Sequence, residues 1–543
     1  MRRIVDERKF LSDPDFNAVI EKINQGENEL KVSGLHGSAR SFLFTVLFKS
    51  IKKPQIIICS TEREARNVHR DVSFFLDGGN AIFYPPWEIV STDMLSYQRD
   101  VESRRIETLF RLVSGSPAVF VIPLSALLQR AVPRNILENY VETISIGDTL
   151  ERDSFTAKLD EGGYRRVSLV EGEGEFSVRG HVIDIFPPIS AMPLRMLFIG
   201  DELESIREFD TVSQRSAKEI DEFVLTPARE LILSGDIQRQ AVRNLKKRAG
   251  ELGISGTMRN RIAEMIKNDL SSSINPLFLP LFYNGLDTIF NYVPEDSVVI
   301  FDDFISMEHA EEKIVNDIDR FLLRAEREDK FYLGREMFHV SMADLFQRFK
   351  DLQRIYVDGF EIGIDGENDS AVKFHVETNT GLKKEASELS MEDGILSPLV
   401  EKIREWMDGG NLVSFLCSGE EGIQRMSNLL MGYSLPVTRS YVPILSELAR
   451  HDGKGRLILK DGKITEGFHF PGPKLVVVSE EEVFGKKKKR RKARPVREGY
   501  FLKSFGELKE GDFIVHTDHG IGKYLGLKKL SVGKIENDFL LIE

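Results

Sequence analysis

Gly34-Leu35-His36-Gly37-Ser38-Ala39-Arg40-Ser41, set before an apolar helical run, is the stretch whose residue types and spacing come nearest to phosphate chemistry. A phosphate-binding loop needs G-x-x-x-x-G-K-[ST]. Its glycines let backbone N–H groups close on the phosphates, its lysine neutralises them and its hydroxyl holds magnesium. Here Gly34 and Ser41 fit, but Ala39 stands for the second glycine and Arg40 for the lysine. A β-carbon at position 39 obstructs the backbone approach if φ is positive there. A planar guanidinium does not fit a pocket shaped for a compact ammonium. The expectation is a relic loop that caps a helix and holds no nucleotide. Phe301-Asp302-Asp303 follows an apolar run and imitates the acid of a nucleotide site. With the loop degraded, it reads as a solvated strand end.

No other catalytic pattern emerges. The ten histidines contain no H-E-x-x-H, and Cys59 and Cys417 make neither a zinc site nor a disulfide framework. There is no G-x-S-x-G nucleophile elbow. No catalytic group, metal or cofactor is expected in this chain. Lys486, Lys487, Lys488, Lys489, Arg490 and Arg491 open a run, Lys486–Arg497, that carries nine basic residues in twelve. Such a run self-repels and reads as a linker. The second reading is a salt-dependent contact with DNA phosphates.

The elements that must position these groups are α/β. Apolar runs at Gln55–Cys59, Ala81–Tyr84, Ala118–Ile122 and Ser297–Phe301, each followed by a polar turn or helical pattern, predict a buried parallel sheet. Glu102–Val113 has apolar residues at helical spacing. From about Asn135 to Arg215 the strands crowd together and glycine is frequent, which predicts a mostly antiparallel insertion. A second α/β stretch follows, in which Asn411–Ser418 echoes the strand ending at Cys59-Ser60. After the basic run, Gly511–His516 and Gly520–Gly526 read as short strands of a small β-barrel. The chain stops at Leu540-Leu541-Ile542-Glu543, inside an apolar strand, so a fragment of a longer protein is expected.

The expected organisation is thus residues 1–134 and 216–344 as two parts of one α/β domain, with 135–215 inserted between them. Residues 345–485 form an α/β domain of unassigned role, 486–499 a basic linker and 500–543 a truncated barrel. A length of 543 residues excludes a single core. Lys+Arg total 74 against Asp+Glu 86, so the chain carries −12 and no global cationic surface for wrapping DNA. No apolar run reaches the ~20 residues of a membrane span. A cytoplasmic protein without membrane partners is expected.

Several segments together resemble one family. Gly163-Tyr164-Arg165-Arg166 and Gly174-Glu175-Phe176-Ser177-Val178-Arg179-Gly180-His181-Val182-Ile183-Asp184-Ile185-Phe186-Pro187 resemble the interaction domain of the excision-repair protein UvrB. They are closer still to that domain in bacterial transcription-repair coupling factors. Phe209-Asp210 and Ser213-Gln214-Arg215 continue the match. Tyr84-Pro85-Pro86-Trp87-Glu88, with Ser103–Leu109, resembles the start of the family's UvrB-like module. Gly511–Tyr524 resembles its RNA-polymerase-interacting domain, shared with CarD-type regulators; UvrB has no such tail.

The resemblance implies a UvrB-like parallel-sheet domain with a degenerate P-loop, a β insertion, a second α/β domain and a CarD-like barrel. It implies a scaffold of transcription-coupled nucleotide excision repair that binds the β subunit of stalled RNA polymerase and recruits UvrA. DNA contact and the ATP- and magnesium-dependent translocase belong to the full-length protein. The UvrA-facing positions are Arg165, Arg166, Arg179 and Phe186; Ser177 replaces a second arginine found in UvrB. Leu530 matches an apolar polymerase contact, with Lys529 and Tyr524 beside it. Two other readings stay open: an ATP-dependent damage-binding protein of the UvrB kind, and a CarD-like transcription regulator.

Overall fold

The computed structural model describes residues 13–88, 99–267, 275–359, 371–379, 397–484, 511, 513–516, 520–532 and 535–542; in the last segments side chains are described only at 511, 522–526 and 541. The described residues up to Phe484 form one compact unit, and those from 511 onward a second.

The first unit is built on a seven-stranded sheet. Its order from one edge is Val372–Lys373, Glu29–Ser33, Gln353–Asp358, Val298–Asp302, Gln55–Cys59, Val119–Pro123 and Ala81–Phe83. Every neighbouring pair is parallel. The central strands are buried along their whole length, which is why they read as unbroken apolar runs. Helices Ser38–Ile51, Glu62–Leu76 and Arg99–Val113 connect or flank them. Thr61 caps the second helix by accepting the Glu64 amide at 3.2 Å.

The chain leaves this lobe to build a six-stranded sheet from Arg165–Arg166, Glu175–Arg179, Val182–Ile185, Leu194–Ile199, Glu202–Phe209 and Ser216–Ile220. All pairs but the first are antiparallel. A further pair, Glu142–Ser145 with Glu222–Leu225, closes its base. The strands alternate: Phe176, Ile183, Ile185, Leu194 and Met196 pack inward with Phe155 and Leu159 of helix Arg152–Glu161.

A third, mixed sheet orders Glu377–Thr378, Phe468–Phe470, Leu475–Ser479, Leu412–Cys417, Arg456–Asp461 and Val437–Arg439. It does not stand apart from the first. Phe42 lies 5.7 Å from Phe468 and 5.9 Å from Phe470, Phe16 lies 5.5 Å from Phe470, and Phe75 lies 6.1 Å from Phe468. These rings join the two sheets in one apolar seam.

Sheet membership moves two boundaries read from the sequence. The insertion continues past Arg215, because Ser216–Ile220 pairs with Glu202–Phe209. That strand is solvent-exposed and carries no apolar run to announce it. The first lobe continues past residue 344, because Gln353–Asp358 pairs on both sides within the first sheet. Its polar ends disguise a strand whose middle is buried. Among the described residues no helix is long and apolar enough to cross a membrane.

Candidate functional site

The degenerate loop lies between strand Glu29–Ser33 and helix Ser38–Ile51, at the carboxyl end of its strand. That end is where open α/β sheets bind ligands. Both of its glycines have positive φ, +83° at Gly34 and +51° at Gly37. The close approach they permit is to protein. A β-carbon on Gly34 would meet the Phe374 carbonyl at 2.1 Å, and one on Gly37 would meet the Glu466 carboxylate at 2.6 Å. Ala39 and Ser41 are buried.

Arg40 turns inward, and its Nη1 donates to Asp302 Oδ1 at 2.6 Å. Asp302 is therefore a buried partner of the relic loop, which corrects the expectation of a solvated strand end. Burial pushes its carboxyl up to about 6, while Arg40 opposes that shift. The Cys59 thiol faces the same carboxylate at 3.9 Å, and burial raises its pKa well above the ordinary thiol value.

The third sheet supplies a clasp over the loop. Ser38 Oγ donates to Asp71 at 2.6 Å and accepts the Glu466 amide at 3.1 Å. Asp71 also accepts the Thr465 amide at 2.9 Å and its hydroxyl at 3.0 Å. The place of a phosphate is thus taken by the chain itself. Among the described residues no group of three His, Cys, Asp or Glu is arranged to hold a metal.

The second site is the outer face of the insertion sheet. Register places Arg165 opposite Glu175, and the Phe186 amide donates to the Glu175 carbonyl at 2.9 Å. Ser177 stands opposite Asp184, with Arg179 one pleat further along the same strand. By strand alternation Arg165, Arg179 and Phe186 share one face, opposite the packed one. Arg166 alternates to the other side and is exposed. Phe186 is half-buried.

Each of the two face arginines is tethered. Arg165 ion-pairs with Glu175, whose second oxygen accepts the amides of Glu171 at 3.0 Å and Gly172 at 3.2 Å. Arg179 ion-pairs with Asp184. The sequence reading passed over Glu175, Asp184 and Arg195. Alternation in Glu175–Arg179 and Val182–Ile185 was the signal that put the two carboxylates beside the arginines.

Tyr84-Pro85-Pro86-Trp87 is structural. The guanidinium of Arg105, wholly buried, lies 4.2 Å from the Tyr84 ring centre and 4.9 Å from that of Trp87. It ion-pairs with Glu230 and donates to the Pro85 carbonyl at 3.0 Å.

In the second unit, strands Phe513–His516, Gly520–Val532 and Ile535–Ile542 form an antiparallel sheet. The first pairs with Gly520–Lys523 and the last with Tyr524–Val532. Lys529 faces Asp538 and Leu530 faces Asn537 in the backbone register; their side chains lie outside the described residues. Tyr524 is buried, which corrects its reading as a surface contact. Lys486–Arg491 lie outside the described residues.

Residues 143–231 match the family model of the UvrB interaction domain, and residues 508–543 that of the CarD-like/TRCF RID domain. Along most of its length the chain is similar to curated transcription-repair-coupling factors. The identity is 29% with that of Myxococcus xanthus, over 97% of this chain and 45% of the relative. It is 26% with that of Bacillus subtilis (97% and 44%) and 26% with one from Staphylococcus aureus (96% and 44%). The chain spans less than half the length of these relatives.

Proposed function

We propose that this chain, a homologue of transcription-repair-coupling factors over 97% of its length, is the recruitment scaffold of such a factor. In this reading it links RNA polymerase to UvrA at DNA lesions. The observation that carries it is the pairing, in one chain, of a UvrB interaction domain with a CarD-like/TRCF RID domain.

The UvrA contact is assigned to Arg165, Arg179 and Phe186 on the outer face of the insertion sheet, with Arg166 at its margin. Forked arginines beside a partly exposed aromatic ring are a common hot-spot combination. The polymerase β-subunit contact is assigned to the stretch around Lys529 and Leu530. Tyr524–Val532 has one strand partner among the described residues, and in this reading a polymerase strand adds along its other edge. The first lobe binds no nucleotide in this reading, because Arg40 is committed to Asp302. ATP-driven translocation is assigned to the part of the relatives that this chain does not span.

Calorimetric titration with UvrA tests the first contact. The parent binds, and Arg179→Ala binds measurably more weakly while circular dichroism shows an unchanged fold. A parent chain that ignores UvrA would refute the assignment. Capture of the polymerase β subunit, lost in Leu530→Asp, tests the second.

A further inference from the structure

Beneath the arginines of the insertion sheet lies a carboxylate that no solvent reaches: Asp184 is 0% exposed. Arg195 holds it with two bonds, Nε to Oδ1 at 2.8 Å and Nη2 to Oδ2 at 3.0 Å. Arg195 is itself fixed. Its Nη1 donates to the Gln214 carbonyl at 3.1 Å, and its guanidinium lies 4.6 Å from the centre of the Phe209 ring. The carboxylate is therefore a rigid point of the sheet. Arg179 also pairs with it, but from the rim, with its side chain 49% exposed.

The charges are layered. Glu175 and Asp184 are sunk in the sheet, while Arg165 and Arg179 stand above them. Two guanidinium groups on one carboxylate leave Asp184, Arg179 and Arg195 with a net positive charge. An arginine tied at one nitrogen has already lost much of its rotational freedom. Its remaining N–H groups form a planar fork that matches a carboxylate.

We propose that Asp184 is a positioning residue for partner recognition: it holds the Arg179 fork outward to receive a carboxylate on an acidic surface of UvrA. This inference rests on the reading that the insertion sheet binds UvrA. Asp184 touches no partner itself and acts through Arg179.

A double-mutant cycle separates this role from a structural one. UvrA affinity is measured by calorimetry for the parent, Asp184→Asn, Arg179→Ala and the double variant, with thermal unfolding followed for each. Asp184→Asn weakens binding about tenfold, the cost of one charge-assisted hydrogen bond. In the Arg179→Ala background the same change has less than about a twofold effect, because contacting residues couple. Equal loss in both backgrounds, or no loss with Asp184→Asn, overturns the proposal while leaving the binding face in place. A parent that does not bind UvrA overturns both. Should Asp184→Asn not fold, Arg179→Lys decides: it keeps the charge but lacks the fork, so it binds about tenfold more weakly. Full affinity with lysine overturns the proposal.

Discussion

Arg40 and Asp302, 262 positions apart in sequence, meet at 2.6 Å where a nucleotide-binding lobe would present its phosphate cation and its metal-holding acid. Each answers the other, and the pair serves the lobe as an internal brace. A buried pair of this kind is costly to break from one side, because the remaining charge has no solvent.

Arg40→Ala should therefore lower stability by about 3 kcal/mol at neutral pH, read from urea unfolding. The pH dependence has a definite sign. Asp302 titrates near 6 in the folded chain, above its ordinary value of 3.8, so the folded state binds the proton more tightly. Its contribution is largest below pH 4 and is lost as pH rises through 6. Relative to Asp302→Asn, the parent loses stability across that window. A parent-minus-variant difference that is flat with pH would contradict the burial of this carboxyl.

Nucleotide binding should be absent even after the loop is repaired. Ala39→Gly with Arg40→Lys restores the motif, yet Glu466 still lies against Gly37 and its amide still bonds Ser38. Fluorescent ATP titration should show no saturable binding in the parent or the repaired variant. Micromolar affinity in the repaired chain would mean that the clasp opens freely.

Asp71→Ala tests the clasp directly. The substitution removes the acceptor of the Ser38 hydroxyl and of both Thr465 donors. Ser38 is buried and Thr465 partly so, and an unpaired buried donor costs about 1–3 kcal/mol, so a loss of about 3 kcal/mol is expected for the three together. Hydrogen exchange should quicken around Thr465–Gly467 before the rest of the third sheet. Unchanged protection there would remove the clasp from the account.

Arg105 and Glu230 give a sign-reversal test. Glu230 also accepts the Val132 amide at 3.0 Å, so it fastens the insertion's return to the host lobe. Glu230→Gln should cost about 3–5 kcal/mol by stranding Arg105. Arg105→Met combined with Glu230→Leu should cost less than either single change, since apolar packing replaces the whole pair. Thermal unfolding of the three variants checks the order.

The α/β character of the first lobe was legible because buried parallel strands are continuous apolar runs, as at Gln55–Cys59 and Val119–Pro123. Helix Arg99–Val113 declared itself by its apolar spacing. Of the four residues named on the insertion, Arg165, Arg179 and Phe186 share a face and Arg166 does not; counting alternation from Arg165 and Arg179 would have separated Arg166 and delivered Asp184. Ser216–Ile220 was not legible, since an exposed strand has no apolar signature. Nor was the fate of Asp302 or Glu466. Their partners lie hundreds of residues away, and local pattern carries no information about such meetings. Tyr524 was misplaced for a related reason: a tyrosine on a short strand reads the same facing in or out.

The aromatic seam of Phe16, Phe42 and Phe75 with Phe468 and Phe470 has a mechanical consequence. Strand Leu475–Ser479 and helix Glu480–Phe484 are the last described elements of the first unit. Tension drawn on the chain beyond them enters the third sheet, and the shared rings are a route by which it reaches the first sheet. Separating the two sheets would expose those rings to water, so the apolar seam opposes a pull that would part them.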